Sequence, residues 1–190
     1  PTQLLWINLV ATVTLALPLA FEGAEPDLMA RPPRAPRAPV LSGFVVQRTI
    51  LASLLGASAA IGLFLWEYFR TLGAGAADPV AIGKAQTMAV TAVIAFQVFY
   101  LLKCRSLRRS VWTMGFSSNP AVVVGIGTIV VLQAAFVYVP ALNLVFHSVP
   151  LAWDELGRAV LAGALTLPLM SVEKWLDHRA PTTDPGEGRS

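Results

Sequence analysis

Charge is scarce in this sequence. Of its 190 residues only 13% are Asp, Glu, Lys or Arg, against about 25% in an ordinary soluble domain. That shortage excludes a normal water-facing surface. Cysteine is nearly absent: Cys104 stands alone, so neither an internal disulfide nor a thiolate metal cage can form. Lys103 and Arg105 flank it and would favour a thiolate, although an inert thiol beside the membrane is the simpler reading. Histidine is limited to His147 and His178, far apart in the chain, and no Ser-His-Asp set or metal-ligand spacing occurs. The glycine pair Gly125-Ile126-Gly127, which a search for phosphate loops would pick out, lies inside an apolar run, where packing of small residues between helices explains it. Nothing in these residues points to catalysis within the chain. The net charge of +3 and pI near 9.4 come without a basic-aromatic module, so no nucleic acid is expected as partner.

Apolar residues are what the sequence has in excess, 55% of the total. They fall into five runs: Leu4 to Phe21, Phe44 to Trp66, Ala85 to Leu102, Ala121 to Val139 and Leu156 to Leu176. Each is near the ~20 residues that cross the hydrocarbon of a bilayer as a helix. A backbone in lipid must satisfy its own hydrogen bonds, and the alternation of a barrel strand is missing, so the runs predict helices. The expected fold is an all-α membrane bundle of five transmembrane helices over residues 1–178, followed by a disordered tail, 179–190. The chain opens on Pro1 without a charged leader or cleavage site, so the first run does not read as a signal peptide.

Basic residues are sorted by side. Arg31, Arg34, Arg37, Arg48, Lys103, Arg105, Arg108, Arg109, Lys174, Arg179 and Arg189 share one side, eleven of the 14 in the chain. Arg70, Lys84 and Arg158 are left for the other. The positive-inside rule makes the first side cytoplasmic, with the C-terminus there too. The first helix then enters from outside, which implies an upstream span and a chain that is part of a longer one. Segment 22–42, with Arg31-Pro32-Pro33-Arg34 at its centre, predicts a stiff extended strap against a cytoplasmic domain; an SH3-type ligand is the alternative. The glycines of 67–84 predict a flexible outer loop, and 140–154 a second one.

Polar residues in mid-membrane are costly and draw attention to function. Asn8 and Thr12 are four apart and share a helix face, where an amide and a hydroxyl oxygen could meet an ion or bond to a neighbouring helix. Pro18 frees the carbonyl of Thr14, either as a ligand or as the mark of a bend. Gln97, Gln133 and Thr166 are the other mid-membrane polar groups considered; Gln133 and Thr166 read as packing hydrogen-bonders. Glu173 and Lys174 sit near a helix end and read as snorkelling.

Several stretches carry a family likeness. Leu4-Leu5-Trp6-Ile7-Asn8-Leu9-Val10, Phe21-Glu22, Glu25-Pro26-Asp27-Leu28-Met29 and Arg31-Pro32-Pro33-Arg34 closely resemble the sixth transmembrane helix and following loop of P-type cation ATPases of the calcium-pump-like branch. Thr87-Met88-Ala89, Gln97 and Cys104-Arg105-Ser106-Leu107-Arg108-Arg109-Ser110 resemble the eighth helix and its loop, and Tyr138-Val139-Pro140 the end of the ninth. The resemblance implies that the five helices are the sixth to tenth of a ten-helix pump. ATP and Mg2+ would serve the parent protein, whose aspartyl-phosphate and nucleotide domains lie upstream and outside this sequence. Its partners would be the bilayer, the transported cation, the upstream helices and those cytoplasmic domains. The compact Ala/Arg-rich loops suggest a bacterial inner (plasma) membrane. Asn8 occupies the family's ion-liganding asparagine position, and Gln97 stands where some calcium pumps carry Glu. The chain departs from the pattern at Ala11-Thr12, where relatives have Thr-Asp, and at Val13-Thr14-Leu15, where they have Gly-Leu-Pro. The carboxylate is therefore replaced by Thr12, and one ion, a monovalent ion or a proton is expected rather than two calcium ions. Rival readings are a self-contained small permease or channel, and a non-catalytic accessory subunit.

Overall fold

The computed structural model describes residues 2–20, 43–105 and 120–177. The Pro/Arg strap with Arg31, Pro32, Pro33 and Arg34, the basic segment 106–119 and the tail lie outside the described residues. All regular structure among those described is helical. Helix α1 is Thr2–Ala11; it runs into a π-helical turn, Thr12–Ala16, and a last short turn, α2, Leu17–Leu19. Then follow α3 (Gly43–Gly73), α4 (Asp78–Arg105), α5 (Pro120–Tyr138), the short α6 (Pro140–Phe146) and α7 (Trp153–Asp177).

Composition explains these helices. Val46–Gly73, Asp78–Leu102 and Pro120–Tyr138 are long and apolar enough to cross a membrane, and Thr2–Ala16 is a shorter apolar helix. Helix α7 has 25 residues, about 37 Å at 1.5 Å per residue, also enough for the crossing. Pro120 and Pro140 sit in the first turns of α5 and α6, where a missing N–H costs nothing. His147 ends α6 with φ of 55°, the left-handed conformation that terminates a helix.

The expected outer loop over 67–84 is mostly helix. Helix α3 continues to Gly73 and α4 begins at Asp78, which leaves a turn of four residues, 74–77. Gly75 adopts φ of 86° there, and the N–H groups of Ala74, Gly75 and Ala76 bond back to Arg70, Leu72 and Thr71. Likewise 140–154 is not all loop, since it contains α6.

Helix α4 is the central post. It packs along α3 and α7 and also meets α1, the π turn and α5. Small residues permit this: Ala81, Ala85 and Ala92 are buried on α4. Phe96 is wedged between Gly56 of α3 and Gly163 of α7. A Cβ on Gly163 would come 2.7 Å from the Phe96 nitrogen, so the α4 and α7 backbones touch. The outside of the bundle is the reverse of a soluble protein. Leu54, Ile61, Leu65 and Phe69 on α3, Val124 and Val131 on α5, and Leu161 and Leu165 on α7 are all exposed. Such continuous apolar exposure is what a lipid solvent requires.

Candidate ion pathway

The π turn sets the geometry of the polar residues on the first helix. At its end the Leu17 N–H bonds to the Thr12 carbonyl, five residues back. Wide turns of this kind are rare and frequent at functional sites. Pro18 sits one residue later and cannot donate to the Thr14 carbonyl. That carbonyl does not turn toward an ion path. It lies against Gly125 of α5, where an added Cβ would be only 2.2 Å from the oxygen. The Thr14 hydroxyl is also engaged, donating to the Val10 carbonyl at 2.6 Å. Thr14 and Pro18 therefore mark a close contact between the first helix and α5. The packing reading of the glycine pair holds for Gly125, while nothing lies within 4 Å of a Cβ on Gly127.

Thr12 and Gln97 are brought together. They line one open groove of about 300 Å³ between the π turn and α4, with Ala16 and Tyr100 alongside. The Gln97 Oε1 atom is buried and has no hydrogen-bond partner among the described residues. Asn8 is exposed on α1 and does not line this groove. On the near side of the groove α1 is held by aromatic packing: Trp6 stacks on Phe136 at 5.2 Å and meets Phe146 edge-on at 5.1 Å. Gln3 donates to the Phe146 carbonyl at 3.1 Å.

Gln133 is the packing hydrogen-bonder that its sequence context suggested. Its Oε1 accepts from Trp6 Nε1 at 3.3 Å, and its Nε2 donates to Thr91 Oγ1 at 3.0 Å. Thr91 donates onward to the Thr87 carbonyl, and Thr87 Oγ1 accepts from the Val149 N–H. The side chain of Thr166 lies outside the described residues.

Sequence reasoning missed an ionic cluster at the end of the bundle that carries Lys84. Glu67 is 0% exposed and Glu155 is 5% exposed. Arg70 bonds Glu67 through Nη2 at 3.0 Å and reaches Glu155 at 3.4 Å. Lys84 pairs closely with Glu155, and Arg158 lies 3.8 Å from Glu67 and 2.6 Å from Asp154. Thr71 donates to Glu67, and Arg70 and Arg158 both lie over the Trp66 ring. Three helices, α3, α4 and α7, meet here through opposite charges. The spacing of Glu67 to Arg70 and of Asp154 to Arg158 was the available signal. Among the described residues no group of three His, Cys, Asp or Glu side chains is placed to hold a metal ion, and the two buried carboxylates of this cluster face Arg70, Lys84 and Arg158.

Comparison with known proteins fits this architecture. The sequence model of the family described as "Cation transporting ATPase, C-terminus" matches residues 1–176. A protein named probable cation-transporting ATPase F from Mycobacterium tuberculosis is 41% identical over 80% of this chain, which covers 16% of that protein. Cation-transporting ATPase pma1 of Synechocystis is 30% identical over 92% of the chain and 19% of its own length. Calcium-transporting ATPase type 2C member 2 of the mouse is 30% identical over 95% of the chain, again 19% of its own length. The chain thus spans under a fifth of the length of these curated relatives. An all-helical bundle with a lipid-type exterior, matched over nearly its whole length by this family, is the C-terminal membrane domain of a P-type cation-transporting ATPase, and the chain belongs to that family.

Proposed function

We propose that this domain forms one wall of the cation pathway of an ATP-driven pump. The observation that carries the reading is the meeting of Thr12 and Gln97 on one groove beside the π turn, with the Gln97 carbonyl oxygen lacking a partner among the described residues. A cation leaving water needs replacement oxygens, and a buried unpaired carbonyl beside a hydroxyl offers two. Asn8, one turn before Thr12 and exposed, would present its amide to the helices of the parent that precede this chain. ATP, Mg2+ and the aspartyl-phosphate chemistry belong to those upstream parts, and the segment 22–42 would bear on their cytoplasmic domains. The relatives named as cation- and calcium-transporting ATPases support a metal or alkali cation as cargo.

Neither groove residue is a carboxylate. Charge neutralisation here favours a single ion, a monovalent ion or a proton, unless upstream helices supply the acids. The side with eleven basic residues faces the cytoplasm, the C-terminus lies there, and the membrane is the plasma membrane.

The test is cation-stimulated ATP hydrolysis by the full-length pump over a panel of Ca2+, Mn2+, Na+ and K+. Thr12→Ala, Gln97→Leu and Asn8→Ala each remove one ligand oxygen. Each is expected to raise the half-saturating cation concentration about tenfold, the effect of roughly 1.4 kcal/mol. Unchanged half-saturation in Gln97→Leu would remove the groove from the pathway, and in Asn8→Ala would remove Asn8.

A further inference from the structure

We infer that Gln133, on a helix that carries none of the proposed ligands, is a positioning residue that sets the register of the groove. The inference rests on the reading of Thr12 and Gln97 as ion-facing. Gln133 joins the two helices that bear them: its amide oxygen accepts from Trp6 on α1, and its amide nitrogen donates to Thr91 on α4. Trp6 precedes Thr12 by six residues, and Thr91 precedes Gln97 by six. Both helices run from the Lys84 end, so the brace and the groove are separated by about 9 Å along each helix. Equal offsets mean that any axial slip between α1 and α4 at the brace appears undiminished between Thr12 and Gln97.

The chemistry of the brace suits that role. Gln133 is 7% exposed and Thr91 3% exposed, so losing a partner leaves a buried polar group, which is costly. The bonds run in one direction, from the Trp6 N–H through Gln133 and Thr91 to the Thr87 carbonyl at 2.8 Å. Each donor in such a chain polarises the next. Aromatic stacking on Phe136 and Phe146 holds Trp6 laterally but has no axial preference of comparable sharpness. The hydrogen bond to Gln133 ties the height of Trp6 directly to α4.

The experiment is cation-stimulated turnover of the full-length pump, with whichever of Ca2+, Mn2+, Na+ and K+ stimulates the unaltered protein most. Gln133→Leu is expected to raise the half-saturating concentration about three- to tenfold, as for one or two buried hydrogen bonds. Trp6→Phe keeps an aromatic ring against Phe136, removes the N–H donor together with the five-membered part of the indole, and should shift half-saturation in the same direction. The double variant should be no worse than the more affected single one, because either change breaks the same brace. Ile129→Val, a fully buried apolar change one turn away, should lower the thermal midpoint without moving half-saturation. Should Trp6→Phe leave half-saturation unchanged, or the two shifts simply add, the brace is refuted. The groove reading fails separately: if Gln97→Leu and Thr12→Ala have no effect, it falls whatever Gln133 does. If those two act and Trp6→Phe does not, only the brace falls.

Discussion

At Gly125 a single side-chain hydrogen is the difference between contact and collision. The α5 backbone there lies against the Thr14 carbonyl that Pro18 leaves without its helical donor, and an added Cβ would sit 2.2 Å from that oxygen and 2.7 Å from Pro18 Cγ. Backbone atoms cannot yield as a flexible side chain would. Gly125→Ala should therefore destabilise the domain by about 1–3 kcal/mol, the usual range for overpacking. Gly127→Ala, two residues on with open space around it, should be near neutral or slightly stabilising, since alanine is the better helix former. Thermal unfolding of the purified full-length protein in detergent distinguishes the two; equal effects would mean that the close contact with Thr14 is absent. The pair was legible in the sequence as packing glycines, but not which of them packs. That depends on the rotation of α5 about its axis, which a helix of almost uniform hydrophobicity does not encode. The same limit explains Asn8 and Thr12. Their spacing of four was plain, yet the π turn begins at Thr12 and takes it toward Gln97, while Asn8 stays outside the groove.

The helices are tied to one another by two different means. Along their length, α3, α4 and α7 use small residues against Phe96. At the Lys84 end they use charge, with Glu67 and Glu155 enclosed by Arg70, Lys84 and Arg158. The sequence suggested a flexible loop over 67–84 because charged residues and glycines usually signal the end of a membrane helix. The structure instead continues both helices through the charges, because each acid finds its cation on a neighbouring helix. That pairing is long-range, Glu67 to Arg158 and Lys84 to Glu155, and no local pattern reveals it. A buried carboxylate held by several cations is strongly coupled to them. Glu67→Gln removes the buried carboxylate that Arg70 and Arg158 share, while Arg70 keeps Glu155 and Arg158 keeps Asp154, and should cost about 1–3 kcal/mol. Asp154→Asn, at an exposed position of the same cluster, should leave the melting midpoint nearly unchanged. Comparable losses in melting midpoint from the two variants would show that burial does not govern this cluster.

Across the whole molecule, the features legible from sequence were those that lipid imposes. A backbone in hydrocarbon must be helical, and the helices must show apolar side chains outward, so the fold class followed from composition alone. The groove of Thr12 and Gln97 was only half legible, because the two residues are 85 apart in the chain and its geometry depends on one irregular turn. The orientation of the bundle is a property of the same scale and is open to direct measurement. The chain contains a single cysteine, Cys104, near the end of α4 that lies away from Lys84. The turn 74–77 lies at the other end, and Ala77 is exposed there. In intact cells producing a full-length pump from which all cysteines have been removed, a membrane-impermeant maleimide should label Ala77→Cys. It should reach Cys104, restored as the single cysteine, only after the membrane is opened. The positive-inside rule, applied to the eleven basic residues that the sequence reading assigns to one side, predicts this insertion. In the proposed orientation segment 22–42, which follows α2, falls on the side where ATP is available. Labelling in the opposite sense would place that segment outside the cell, and the proposed contact between it and cytoplasmic domains of the parent would fall with the orientation.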